Sequence, residues 1–145
     1  MKKAISGILC LVLLALGAVY AQATSISDDA AESAPPQLRW SYINTIKTSL
    51  VISGGQASCT GTVTGYNGIT TKVEITLYLE RKLASSNTWS PYANEPKQTF
   101  NSFYGMYTMK EAATTGYEYR VRAVYTAYSG SNSETVTGYS SVVKY

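Results

Sequence analysis

The sequence predicts an all-β protein folded as an antiparallel β-sandwich of about seven strands, with a small barrel as the alternative. Three observations predict it. From Trp40 onward apolar and polar residues alternate with a period of two, and β-branched and aromatic residues dominate. Turn signals interrupt that alternation at short spacing. No window in this stretch keeps a 3.6-residue apolar period with helix caps. Hydrophobic residues make up 45% of the chain, enough for a packed core. Charged residues make up only 14%, which excludes a charge-rich disordered chain or a polar coiled coil.

Each strand is justified by its own pattern. Ile46, Thr48, Leu50 and Ile52 share one face of a first strand, and Gly54-Gly55 allows a tight reversal. Ala57, Cys59, Gly61 and Val63 share one face of a second; Ser58, Thr60, Thr62 and Thr64 share the other. Asn67-Gly68 marks the next turn, because both residues tolerate positive φ. In the third strand Val73, Ile75, Leu77 and Leu79 point one way, while Glu74, Thr76, Tyr78 and Glu80 point the other. Around Trp89 and Tyr92 a short strand is expected at a sheet edge, since Pro91 and Pro96 cannot donate to a ladder. Weak strands follow over residues 98–103 and 107–111. After the turn at Thr115-Gly116, Tyr119, Val121, Ala123, Tyr125 and Ala127 share the inward parity of the next strand. Glu118, Arg120, Arg122, Val124, Thr126 and Tyr128 share the outward one. Residues 129–133 form a polar turn, and residues 135–145 form a last strand.

The two ends of the chain differ in kind. Lys2 and Lys3 open it, an uncharged run follows to Ser27, and residues 8–19 are almost continuously apolar. Val19-Tyr20-Ala21 and Ala21-Gln22-Ala23 both offer small residues where a signal peptidase reads. This predicts a secretory signal peptide over residues 1–23. The apolar run is shorter than the roughly 20 residues a membrane span needs. Residues 24–37 contain Asp28, Asp29 and Glu32, no base, and a closing Pro35-Pro36, which reads as a flexible acidic linker. The folded domain is expected over residues 38–145.

Composition removes whole classes of chemistry. Histidine is absent, so no Ser-His-Asp, Cys-His or His-metal mechanism is available. Cys10 leaves with the leader, which leaves Cys59 alone. Its parity with Ala57 and Val63 predicts a buried, reduced thiol and no disulfide. The twelve Lys and Arg less the two in the leader leave ten bases against nine acids. They form no basic stripe, which argues against nucleic acid. Glu74 and Glu80 share a face but lie roughly 20 Å apart along a strand. That is too far for the paired carboxylates of a glycosidase. Glu opposite Arg120 or Arg122 is expected as a cross-strand ion pair. The adjacent acids Asp28-Asp29 lie in the linker and predict no metal site.

The string from Thr115 to Ala123 resembles strand F of a fibronectin-type-III or immunoglobulin-like domain. There a turn glycine precedes a tyrosine whose hydroxyl bonds back across the sandwich corner. Tyr119 is the candidate corner residue and Tyr117 the alternative. That resemblance implies that residues 74–80 lie antiparallel beside residues 118–126. The core Trp usual in this fold is missing. Residues 39–145 also resemble a family of small secreted proteins of Gram-positive, clostridial-type bacteria, built on a domain of unknown function. The matching segments are Arg39-Trp40-Ser41-Tyr42-Ile43, residues 72–82, Gly116-Tyr117-Glu118-Tyr119-Arg120 and Glu134-Thr135-Val136-Thr137. The likeness implies export and an all-β fold, and no activity.

Tyrosine is the one enrichment, at thirteen residues. Tyr78, Arg120, Arg122 and Tyr128 have outward parity, and Trp89 and Tyr92 lie in the neighbouring Pro-containing segment. Aromatics on a flat sheet face stack on sugar rings or anchor protein partners. The sequence therefore points to a secreted, extracellular interaction module that binds a protein or a glycan through these six residues. It is expected to be a monomer, with no cofactor, no metal, no catalytic residue and no stable membrane insertion once the leader is removed. The other readings are a structural or envelope-associated exported protein with no discrete site, and a bacteriocin-like effector. A hydrolase comes last, because no acid–base dyad can be assembled.

Overall fold

The computed structural model describes residues 40–145. The expected signal peptide over residues 1–23 and acidic linker over residues 24–37 lie outside the described residues. Nine strands run in order: β1 Ile43–Ser53, β2 Gln56–Gly65, β3 Lys72–Leu83, β4 Ser90–Asn94, β5 Gln98–Phe100, β6 Tyr104–Ala112, β7 Tyr117–Ser129, β8 Asn132–Tyr139 and β9 Val143–Lys144. They form two antiparallel sheets. One has the order β1-β2-β6; the other has β4-β3-β7-β8, with β5 also on β3 and β9 also on β7. This is a β-sandwich, as the alternation predicts, and the described residues contain no helix.

Local chemistry fixes the hairpins. The β1–β2 reversal runs through Gly54 and Gly55 at φ of 56° and 80°, the double positive φ that suits a twisted two-residue hairpin. Ser53 then faces Gln56, and Leu50 faces Cys59. The pairing that matters most is β3 with β7. It puts Tyr78 opposite Arg122 and Glu80 opposite Arg120, in the antiparallel register expected from the strand-F resemblance.

The inward side chains of both sheets make the core. Cys59, Val63, Val73, Ile75, Leu77, Leu79, Tyr119, Val121, Ala123 and Tyr125 are fully buried. Gly61 of β2 is one of the places where the sheets approach closely: a Cβ there would lie 2.9 Å from Leu77 Cδ2 and 3.0 Å from the Tyr125 hydroxyl. That hydroxyl crosses the sandwich, donating to the Lys47 carbonyl at 2.8 Å and bonding Thr48 Oγ1 at 2.8 Å. Tyr119, rather than Tyr117, makes the corner. Its hydroxyl accepts the Thr114 N–H at 2.9 Å and donates to the Thr114 carbonyl at 3.0 Å.

Two details depart from the simple alternation. The expected last strand is split, because Ser140 turns its hydroxyl to accept the Val121 N–H at 2.9 Å in place of a ladder carbonyl. In β4 the register shifts opposite Leu79 and Glu80, so Tyr92 is an extra residue between Pro91 and Ala93. The bulge turns Tyr92 inward, a consequence of an edge strand that carries proline. Two segments of the clostridial-type resemblance meet in space. The Glu134 carboxylate accepts the N–H groups of Ser41, Tyr42 and Ile43 at 3.1, 2.8 and 3.2 Å.

Candidate functional site: the outer face of the larger sheet

The outward residues of β3, β7 and β8 form rows set by the register. Tyr78, Arg122 and Tyr139 share one row; Glu80 and Arg120 share the next; Lys82, Glu118 and Lys144 share the third. Period-two alternation supplies the residues, and antiparallel pairing brings the rows together.

Glu80 organises this face. Its two carboxylate oxygens accept the Nε–H of Arg120 and of Arg122, each at 2.8 Å. Burial by itself would push this carboxyl up. The Arg122 and Arg120 hydrogen bonds and charges outweigh that and hold it below the usual carboxylate range. Glu80 points outward yet is only 7% exposed, because the two arginines fold over it. The outer face is therefore closed over its acids although alternation points them outward. Glu74 behaves alike at 6% exposure, paired with Lys97 at 2.9 Å and Lys72 at 3.3 Å.

The anchored guanidiniums carry aromatic rings. Arg122 lies over Tyr78 with 3.9 Å to the ring centroid. Arg120 lies 4.4 Å from the Trp89 centroid and 4.7 Å from that of Tyr139. Each such contact contributes about 0.5–1 kcal/mol at an exposed site. Their geometric effect is larger, since rings and guanidiniums hold one another in position.

Of the residues singled out from sequence, the structure brings together Tyr78, Trp89, Arg120 and Arg122. Tyr128 sits at the far end of the same face, six residues and roughly 20 Å from Arg122 along β7. Its ring is covered by Lys72 at 3.7 Å, and its hydroxyl is spent on Glu74 at 2.8 Å. Tyr92 is not on this face. It packs edge-on against the core residue Tyr119, with centroids 6.0 Å apart. Sequence reasoning missed Tyr139, which is 54% exposed and central to the cluster. Counting parity back from the Gly130 turn would have placed it outward, opposite Arg122. Glu118 meets Lys82 at 2.7 Å rather than another acid.

No family model and no curated protein matches the chain. Among solved structures, the solution structure of R. palustris CsgH is similar over 66% of this chain and 87% of its own, at 15% identity and a TM-score of 0.39. A likeness at that distance assigns neither function nor site to this chain.

Proposed function

We propose that this protein is an exported interaction module that binds a glycan or a protein through the face centred on Tyr78, Trp89, Arg120, Arg122 and Tyr139. The carrying observation is the exposed Tyr139 ring, held beside Arg120 and Arg122 by a carboxylate shared between the two arginines. Rings and guanidiniums fixed before contact lose little side-chain freedom on binding, which favours affinity. Flat aromatic surface suits the apolar face of a sugar ring or a partner's side chain. The leader pattern and the resemblance to secreted proteins support export. Among the described residues no helix is long and apolar enough to cross a membrane. The competing structural reading draws support from the same Glu80 pairs, which would stiffen the sheet with no ligand present.

A glycan array probed with the secreted protein, followed by calorimetric titration of the best hit, tests the proposal. Tyr139→Ala and Arg122→Ala should each weaken that hit about tenfold, the size of a modest hot spot. Tyr139→Ala should leave the melting temperature nearly unchanged, while Arg122→Ala should lower it, because the nearly buried Glu80 loses one of its two partners. Binding that survives both changes would favour the structural reading.

A further inference from the structure

We infer that the cleft beneath the β3–β4 connection is a carboxylate-reading subsite for an acidic sugar, with Arg81 as its anchor. The cleft has a volume of about 290 Å³, and its lining includes Arg81, Leu83, Ser86, Thr88, Ser90 and Tyr117. That is the small end of ligand sites, room for one ring rather than a long chain.

Arg81 differs from the other described arginines. Its guanidinium is clamped between two rings, 4.1 Å from the Tyr92 centroid and 4.4 Å from that of Tyr117. Arg120 and Arg122 share the one Glu80 carboxylate and so keep a single net positive charge between them, whereas Arg81 has no carboxylate partner among the described residues. A guanidinium held against two rings has already lost much of its rotamer freedom. Its edge presents a donor fork that matches a planar carboxylate. Lys82, beside it, is committed to Glu118 at 2.7 Å and to the Ser86 carbonyl at 3.0 Å. The cleft thus offers one free positive charge, which suits a single carboxylate better than a doubly charged phosphate.

The rest of the lining suits a polyol. Thr88 and Ser90 are exposed, and Ser86 Oγ accepts the Thr88 N–H at 3.1 Å, leaving its own O–H free to donate. Leu83, 51% exposed, offers an apolar flank to the C–H side of a sugar ring. Thr88 and Ser90 flank Trp89, whose ring stacks on Arg120, so the cleft adjoins the outer face through Trp89. The choice of a sugar as ligand rests on the glycan reading of that face.

Tri-galacturonic acid is the probe and neutral galactotriose its control, titrated into the isotope-labelled secreted protein by NMR. The acidic trisaccharide should shift the amide signals of Ser86, Thr88 and Ser90 and the Arg81 Nε–H signal saturably; the neutral one should not. Arg81→Gln, and Arg81→Lys, which keeps the charge but loses the fork, should each weaken binding about tenfold or more, the worth of one charge-assisted hydrogen bond. Should Arg81→Gln melt far below the parent, the Thr88→Ala/Ser90→Ala double variant replaces it, with binding expected to weaken by about threefold or more for two lost neutral hydrogen bonds. No saturable shift, equal response to the neutral sugar, or undiminished binding by a folded Arg81→Gln protein would overturn the inference. Tyr139→Ala separates the two readings. Loss of binding with Tyr139→Ala but not with Arg81→Gln removes the cleft and leaves the outer face. The reverse pattern keeps the cleft and removes the face.

Discussion

Leu77→Ala combined with Gly61→Ala tests how the two sheets are packed. Leu77 is fully buried, and its Cδ2 lies over the backbone of Gly61, where an added Cβ would sit 2.9 Å away. Truncating Leu77 removes three buried carbons, and Gly61 has no side chain that can move into the space. The loss should therefore fall in the upper part of the known range for such changes, about 3–5 kcal/mol. Gly61→Ala alone overpacks the same place against Leu77, Tyr125 and Ile75, at a cost of about 1–3 kcal/mol. Together the changes should compensate, because the new methyl enters the space Leu77 vacates. The double mutant should be more stable than the sum of the two losses by about 1–2 kcal/mol, a normal coupling for residues in contact. Urea unfolding followed by tyrosine and tryptophan fluorescence measures all four proteins. For a domain of about a hundred residues, a 4 kcal/mol loss lowers the melting temperature by roughly 16–20 °C. Strict additivity would refute the close approach of the sheets at Gly61, and a Leu77→Ala loss below about 1 kcal/mol would refute its inward register.

The same structure sets what should be measured at Cys59, at Tyr119 and at the outward glutamates. Cys59 is fully buried, and burial, helped by the Glu111 charge, pushes its thiol up to about 12, so native protein at pH 8 should resist maleimide labelling until denatured. Cys59→Ser should cost about 1–3 kcal/mol by burying a hydroxyl without a prepared partner. Tyr119→Phe removes both bonds to Thr114 and should cost about 1–3 kcal/mol with the fold intact by circular dichroism. The carboxyls of Glu74 and Glu80 are held below their ordinary value of 4.5 in the folded state, so the stability they contribute is present above that pH and is lost as pH falls through their folded values. Thermal midpoints should thus hold from pH 7 to about 5 and drop below about 4.5, and Glu80→Gln should flatten that drop.

What the sequence alone determined is the set of properties that need only the strand's own period. Alternation in β3 put Leu77 inside and Tyr78 outside, and alternation in β2 buried Cys59. The Gly54-Gly55 pair and Asn67-Gly68 marked reversals through φ preference; the strand-F resemblance offered Tyr119 or Tyr117 for the corner, and only the structure decided for Tyr119. These are local rules, since one residue's neighbours decide which face it shares. The site depended on something else. That Glu80 serves two arginines, that Tyr139 meets Arg120, and that Tyr92 and Tyr117 clamp Arg81 all require strands distant in sequence to pair in one register. Tyr92 shows the limit directly, because one extra residue in an edge strand turned it onto the core residue Tyr119, away from the binding face it was expected to join. The outward glutamates show it again. Alternation fixed their direction, but only the arginines reaching across from β7, with Lys72 of β3 and Lys97 of the segment before β5, decided that they would be buried, because burial on a sheet face is set by what lies alongside as much as by which way a residue points.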